Sequence, residues 1–288
     1  MTENGDRQVL EPRPLQCMEI WGGSDFVERV VTTPGLDAWV FSRPYDGATD
    51  GGDVHYVTLC GGGILTRIVV ADVSGHGSVV AEMSRELRNL VRRYINAKSQ
   101  TGIVKSLNQR FAELAKLNRF ATAVVASYLA NRDRLAICNA GHPRPLWYRA
   151  ERSTWSILEG SSGTRDVKGF SNLPLGLDDE TPYDLFHVDL SPGDLLLFYT
   201  DALIEAASPE GSQLGESGLL TLASAIESHD PSVLGRSLLA AVDRYRGDQP
   251  PDDDTTLLVV RHNAGNSPRL SIRQKVDVYA KFFGLKDY

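Results

Sequence analysis

The sequence predicts an α+β fold in which helices cover layered antiparallel sheets. Strand-like runs rich in β-branched residues are joined by turns as short as Gly61-Gly62-Gly63, which links 53–60 to 64–71. Turns this short favour hairpins, because parallel strands need long crossovers. Apolar residues at helical spacing indicate helices in pairs, over 79–95 and 103–114 and again over 219–228 and 233–245. Paired helices without regular strand alternation argue against a parallel sheet.

The remaining strands and the chain length define the domain organisation. Apolar and β-branched runs predict further strands at 122–129, 135–139, 146–148, 184–189, 195–199 and 256–261. A chain of 288 residues has room for one large domain with short tails. We therefore predict an N-terminal lead-in over residues 1–37, one domain over 38–262 and a C-terminal tail over 263–288, in which an amphipathic run could form a short docking helix.

Composition and charge exclude several classes of function. The net charge of −7 disfavours the basic surface that nucleic acid requires, and no run of Lys and Arg indicates a membrane surface patch. The polar N-terminus has no signal-peptide core, and no apolar run approaches the roughly 20 residues that span a bilayer. Cys17, Cys60 and Cys138 lack metal-binding spacing, and two of them fall in apolar strands. We expect a soluble cytoplasmic protein.

Four aspartates stand at the boundaries of predicted strands. Asp53 and Asp253 open strands, whereas Asp72 and Asp201 close them. If these strands pair in antiparallel sheets, all four carboxylates emerge at one end of the molecule. Carboxylates held that close resist ionising unless a cation neutralises them, and an all-oxygen cluster suits Mg²⁺ or Mn²⁺ rather than zinc. The competing interpretation for any one of them is an ordinary turn residue beside glycine.

Six short motifs occur in a fixed order and carry a family resemblance. They are Gly51-Gly52-Asp53, Val70-Ala71-Asp72-Val73-Ser74-Gly75-His76-Gly77, Asn139-Ala140-Gly141-His142-Pro143, Pro174-Leu175-Gly176, the run from Gly193 to Asp201, and Asp253-Asp254-Thr255-Thr256-Leu257-Leu258. The set resembles the sporulation stage II E-type branch of the bacterial type 2C metal-dependent protein phosphatases. The resemblance covers roughly residues 38–262.

The resemblance implies a four-layer α/β/β/α sandwich with a two-metal site at one end. Asp72 would bridge two divalent cations, Mn²⁺ or Mg²⁺, and the backbone carbonyl of Val73 would bind one of them. Asp201 and Asp253 would hold the other ion, and Asp53 would complete the cluster directly or through water. Such a site activates water for in-line attack on phosphoserine or phosphothreonine, so the implied activity is protein serine/threonine phosphatase.

The resemblance also implies a type of partner. Related phosphatases commonly act on phosphorylated anti-sigma-factor antagonists in partner-switching pathways, which predicts a phosphoprotein substrate and a signalling role. Control of activity would then come from a partner, from a homodimer or from the chain termini. His76 could donate a proton to the leaving serine oxygen, whereas His55 and His142 are interpreted as structural. Candidate contacts to phosphate are Arg43, Arg67 and Arg144.

Two positions depart from the family pattern and leave a second function open. Ala202 follows Asp201 where the family has glycine, and it would strain the turn if that position needed positive φ. Tyr56 stands three residues after Asp53, where the family often has an acid. The alternative is therefore a pseudophosphatase, a regulatory protein-binding module that keeps the fold with little turnover.

Overall fold

The chain folds into four layers, in which two packed sheets are enclosed by two pairs of helices. The computed structural model describes residues 11–75, 78–97, 99–114, 119–159 and 171–265. In chain order the strands are β1 Arg13–Pro14, β2 Glu19–Gly23, β3 Val27–Thr33, β4 Leu36–Arg43, β5 Val54–Cys60, β6 Leu65–Val73, β7 Ala121–Leu129, β8 Arg134–Ala140, β9 Leu146–Arg149, β10 Thr154–Ile157, β11 Phe186–Asp189, β12 Leu195–Tyr199 and β13 Thr255–His262. The helices are α1 Ser78–Tyr94, α2 Gln100–Leu114, α3 Gly215–Ser224 and α4 Pro231–Arg246.

The strands form two sheets, here called A and B. Sheet A has the order β1-β3-β4-β13-β12-β9-β10, and sheet B has the order β11-β8-β7-β6-β5-β2. Neighbours pair antiparallel in both sheets, except that β1 runs parallel to β3. The glycine turn after β5 gives the predicted hairpin with β6. The predicted α+β class and its four-layer sandwich are confirmed.

Side-chain alternation along the strands divides the interior into three apolar layers. In β6, Ile68 and Val70 face sheet A and pack in the core between the sheets, together with Phe198 of β12. Val69 points the other way, into the core beneath α1 and α2. The outer face of sheet A is covered by α3 and α4, where Trp39 packs among their leucines. Each sheet thus buries both faces, which fixes its register.

Helix α4 shows how local sequence sets this arrangement. Asp230 caps its N-terminus by accepting hydrogen bonds from the backbone N–H groups of Ser232 (3.0 Å) and Val233 (3.1 Å). Gly235 allows the helix to lie close to sheet A, because a Cβ there would be 2.2 Å from the Trp39 ring. The helix therefore packs tightly on β4, opposite the middle of the neighbouring strand β13.

The two sheets begin earlier in the chain than the sequence indicated. Strands β1, β2 and β3 lie within residues 1–37, which were predicted as a lead-in, so sheet formation starts before Ala38. Strand β10 is likewise absent from the strands that the sequence predicts. The predicted tail helix falls in 266–288, outside the described residues. Cys60 and Cys138 are buried as predicted, and Cys17 is exposed. None of the helices in the described part of the chain has the length and apolarity that a bilayer crossing requires.

Candidate metal centre

The strand register brings the four predicted aspartates to one end of the two sheets. In sheet B, Val54 of β5 lies opposite Ala71 of β6, so Asp53 and Asp72 stand side by side at that edge. In sheet A, Tyr199 of β12 lies opposite Leu257 of β13. Asp201 follows β12 and Asp253 precedes β13, so both emerge at the same edge of sheet A.

A buried threonine joins the strand ends of the two sheets that carry the aspartates. The Thr200 hydroxyl donates a 2.8 Å hydrogen bond to Asp53 Oδ2. The same hydroxyl oxygen accepts the backbone N–H of Thr256 at 3.0 Å. Because Thr200 and Thr256 belong to sheet A while Asp53 opens β5 in sheet B, this chain of hydrogen bonds holds the carboxylate ends of the sheets together.

Asp254 is a member of the site that the sequence did not single out. Its carboxylate accepts the backbone N–H groups of Tyr45 (2.6 Å), Gly52 and, more weakly, Asp53 (3.4 Å). Gly51 leaves no room for a side chain, since a Cβ there would lie 2.6 Å from Asp254 Oδ1, and the space at Gly52 is tight. Asp254 therefore fixes the loop that presents Asp53. The Gly51-Gly52 pair was the available signal, because glycines allow a carboxylate to reach the backbone.

The carbonyl of Val73 faces the same space. A Cβ built on Gly52 would lie 3.3 Å from the Val73 carbonyl oxygen and 3.2 Å from Asp254 Oδ2. The Val73 side chain is fully buried beneath the helices, so only its backbone is directed towards the carboxylates. This is the orientation that a backbone ligand requires.

Burial and mutual repulsion act on the acidic groups together. Burial, followed by the charges of Asp72 and Asp254, raises the pKa of Asp53 well above its ordinary value. The pKa of Asp72 is likewise raised well above its ordinary value by burial and then by Asp201 and Asp253. Burial also raises the pKa values of Asp201 and Asp253, and the charge of Asp201 raises that of Asp253 further. A group of carboxylates that oppose one another's ionisation favours a bound cation.

Glu205 is a second acidic group that the sequence did not single out. Its backbone N–H donates to the Asp201 carbonyl at 2.8 Å, one turn further along the chain. Its charge contributes to the raised pKa values of both Asp201 and Asp72. The site is therefore more acidic than the four predicted aspartates alone.

The donor set fits a hard divalent cation with an open coordination shell. The aspartates that form ion pairs within the described residues are Asp37, Asp50, Asp133, Asp189 and Asp243, so none of the described lysines or arginines is ion-paired with a carboxylate of the site. Within the same residues, no group of three or more His, Cys, Asp or Glu side chains is arranged to hold a metal ion on its own. An ion here would take one or two carboxylates and complete its shell with carbonyl oxygen and water, as Mg²⁺ commonly does.

The predicted histidines divide into two cases. His76 lies outside the described residues. His55 packs beside Trp21 in sheet B, and burial lowers its pKa to about 4. Burial lowers the pKa of His142 to about 3. Its Nδ1 is 2.8 Å from the hydroxyl of Thr122, the cross-strand partner of Asp72. Both buried rings are neutral at pH 7, in keeping with the structural role predicted for them.

The three arginines predicted as candidate phosphate contacts make other interactions in the structure. Arg67 is buried and donates to the carbonyls of Ile95 and Ala97, which ties β6 to the end of α1. Arg144 pairs with Glu159 and Glu216. Arg43 lies over the Phe41 ring at 5.8 Å, in a cavity of about 290 Å³ between β4 and α4.

The two departures from the family pattern are accommodated without strain. Ala202 is buried in a single 3₁₀ turn, Asp201–Leu203, and does not need positive φ. Tyr56 is 1% exposed and packs in the core beneath α1 and α2, on the face of β5 away from sheet A. Burial raises the pKa of its hydroxyl. Neither residue blocks the carboxylate end.

Comparison with known proteins agrees with this architecture. Residues 64–263 match the family model described as Stage II sporulation protein E (SpoIIE), and the chain belongs to this family. It is 25% identical over 143 residues to the phosphoserine phosphatase RsbP of Bacillus subtilis (strain 168), covering 48% of this chain and 33% of that protein. The chain thus spans about a third of that relative's length.

Solved structures share the fold at low sequence identity. The RsbU and RsbW domains of Rv1364c from Mycobacterium tuberculosis superpose with a TM-score of 0.68 at 24% identity, over 91% of this chain and 74% of that one. RsbX in complex with magnesium superposes with a TM-score of 0.58 at 17% identity, over 82% of this chain and 99% of that one. These similarities establish the sandwich fold.

Proposed function

We propose that this chain is a metal-dependent serine/threonine protein phosphatase. The observation that carries the proposal is the group of mutually repelling carboxylates, without a basic partner among the described residues, at one end of a SpoIIE-family sandwich. Membership of the family and the similarity to a named phosphoserine phosphatase support the same reaction. The substrate class is a protein that carries phosphoserine or phosphothreonine.

Each residue of the site has a distinct role in this proposal. Asp72 would bridge two divalent cations, Mn²⁺ or Mg²⁺, with Asp53, Asp201, Asp253 and the Val73 carbonyl as the remaining protein ligands. When bound, the ions would supply Lewis-acid activation of water and offset charge on the phosphoryl oxygens. Thr200 would hold Asp53 in place through its 2.8 Å hydrogen bond. Asp254 would hold the loop that carries Asp53.

The proposed biological setting is partner switching, with an anti-sigma-factor antagonist as the phosphoprotein. The motif order along the chain and the family membership support this setting. The pseudophosphatase alternative drew on Ala202 and Tyr56, and neither residue distorts the carboxylate end. We therefore favour the enzyme over the binding module.

Metal-dependent release of phosphate tests the proposal. Purified protein is incubated with a phosphoserine peptide in Mn²⁺, in Mg²⁺ and in chelator, and phosphate is measured over time. We expect release in either metal, none in chelator, and at least a 100-fold loss in Asp72→Asn. Asp189→Asn is the matched control, because Asp189 is an exposed aspartate that pairs with Arg134 at the opposite end of sheet B from Asp72. Absence of release by the wild-type protein in both metals would overturn the proposal.

A further inference from the structure

An arginine lies on the turn that follows Asp72 and Val73. The backbone N–H of Ser74 donates to the Phe120 carbonyl at 3.0 Å, and the Phe120 N–H donates to Ser74 Oγ at 3.2 Å. These bonds extend the β6–β7 ladder by one residue beyond the Val73–Ala121 pair. Arg119 therefore stands opposite Gly75, just past the edge of the sheet where the carboxylates emerge.

The arginine is held against the backbone of this turn. Its Nη1 donates a 2.9 Å hydrogen bond to the Ser74 carbonyl. Gly75 has φ of +94°, and a Cβ on it would lie 2.6 Å from Arg119 Nη1. Glycine is thus required by the backbone conformation, and it also leaves room for the guanidinium. The contact fixes one side of the guanidinium close to the metal-site strand.

The rest of the guanidinium has no carboxylate partner among the described residues. Arg110, Arg134 and Arg144 each pair with an acidic side chain, whereas no described ion pair includes Arg119. Its described hydrogen bond uses one of the five N–H groups of an arginine. Two residues of extended chain, about 7 Å, separate Ser74 from Asp72. Within the part of the chain that the structure describes, Arg119 therefore places a positive charge with unused donors at the rim of the acidic site.

We propose that Arg119 binds the phosphoryl group of the substrate, an inference that rests on the proposed phosphatase function. A phosphoserine monoester has three non-bridging oxygens, and the planar guanidinium fork can donate to two of them at once. The dianionic phosphate would otherwise approach an end of the molecule lined by carboxylates. Arg119 would offset that repulsion and orient the phosphorus for attack. Lysine would supply the charge without the two-pronged geometry.

The other three candidate arginines are less suited to bind the phosphoryl group, because of their partners or their places in the fold. Arg67 spends its donors on the Ile95 and Ala97 carbonyls, and Arg144 is paired with two glutamates. Arg43 lines the cavity beside α4 on the outer face of sheet A. Among these arginines, Arg119 alone contacts the backbone of the Asp72 strand at the metal end.

Kinetics and phosphate binding together test this role. Arg119→Gln, Arg119→Lys and the surface control Arg110→Gln are compared with wild type for hydrolysis of a phosphoserine peptide and for binding of inorganic phosphate in Mg²⁺ by calorimetry. We expect at least a tenfold rise in KM and in the phosphate Kd for Arg119→Gln, partial recovery in Arg119→Lys, and no change in Arg110→Gln. Melting temperature and Mg²⁺ affinity should stay at wild-type values.

The outcomes distinguish a failure of the role inferred for Arg119 from a failure of the proposed phosphatase function. Unchanged phosphate Kd in both Arg119 variants would overturn the inference, and so would a loss confined to Mg²⁺ affinity, which would mark a purely structural brace. Wild-type protein without metal-dependent hydrolysis would overturn the proposed function instead. Phosphate binding would still be measured in that case, so the role of Arg119 is decided either way.

Discussion

The Thr200 hydroxyl at the end of β12 donates a 2.8 Å hydrogen bond to Asp53 Oδ2 at the start of β5. This single bond spans the gap between the two sheets at their carboxylate end. It also satisfies one oxygen of a buried carboxylate whose ionisation is opposed by Asp72 and Asp254. The bond consequently links the stability of the sandwich to the placement of a proposed metal ligand.

Replacing this hydroxyl should destabilise the protein and loosen the site. Thr200→Val keeps the shape but removes the donor to Asp53 and the acceptor for the Thr256 N–H. Hydrogen bonds to charged groups contribute about 1.5–3 kcal/mol, so we expect the free energy of unfolding to fall by about that amount in urea titrations. Thr200→Ser retains the hydroxyl and should stay close to wild type. Equal stability of all three proteins would contradict this role.

Asp254 should matter through the backbone that it holds. Asp254→Ala leaves the N–H groups of Tyr45 and Gly52 without their acceptor, so the loop before Asp53 should lose its fixed position. We expect at least a tenfold loss of Mn²⁺ affinity in calorimetric titration. Asp254→Asn keeps an acceptor oxygen and should lose less. The neighbouring Asp252 is exposed, and Asp252→Ala serves as the control. A similar loss in both alanine variants would show that charge alone is responsible.

Restoring the family glycine should not improve the enzyme. Ala202 occupies a 3₁₀ turn with ordinary φ, so glycine relieves no strain there. Glycine inside regular structure costs about 0.5–1 kcal/mol relative to alanine. We expect Ala202→Gly to lower the melting temperature slightly and to leave kcat within twofold of wild type. A large gain in kcat would indicate that Ala202 restrains the site, as the pseudophosphatase interpretation requires.

Buried histidines should make the fold sensitive to mild acid. Burial lowers the folded pKa of His55 to about 4, below its ordinary value of 6.5. As the pH falls from 6.5 towards 4, the unfolded chain takes up a proton at His55 before the folded protein does, so the free energy of unfolding decreases. Above pH 6.5 this loss is absent. At pH 5 the loss is about 2 kcal/mol, at about 1.4 kcal/mol for each pKa unit. The pKa of His142 is lowered in the same direction.

Urea titrations at pH 7 and pH 5 measure this dependence. His55→Gln should remove most of the loss that is due to His55, whereas His187→Gln, at an exposed position in β11, should leave the difference between the two pH values unchanged. The repelling aspartates act with the opposite sign, because protonation relieves them as the pH falls. The comparison between the two histidine variants therefore isolates the contribution of His55. Equal pH dependence in both variants would contradict its burial as a neutral ring.

Most of the sandwich could be predicted from the sequence because its central strands carry strong patterns. Long β-branched runs define β6, β7 and β13, and apolar spacing defines the helices. The strands before Ala38 were missed because strands at or next to a sheet edge mix polar and apolar residues. In β3, Val-Glu-Arg-Val-Val-Thr-Thr, the polar residues hide the apolar ones that pack inward.

The site was predictable in its location and less so in its membership. Strand ends locate Asp53, Asp72 and Asp201, since the register carries them to one edge. Three consecutive aspartates precede β13, and local sequence does not reveal which of them faces the loop. Strand alternation places Asp254 on the same face as Thr256, whose hydroxyl meets Ser42 at 2.9 Å inside the sandwich. Glu205 lies only one turn after Asp201, but a lone glutamate after a strand carries no motif that marks it. Arg119 depends on its contact with the distant Ser74 carbonyl, which no local pattern specifies.

The central claim is that these carboxylates form a divalent-cation site, and the thermal stability of Asp72→Asn tests it most directly. Ionisation of Asp72 opposes folding at pH 7, because its folded pKa is raised by burial and by neighbouring carboxylates. The variant should therefore melt above wild type in chelator and below wild type in saturating Mn²⁺, since only wild type gains the full free energy of ion binding. The same order of melting temperatures in both conditions, or no rise for wild type in Mn²⁺, would contradict the claim.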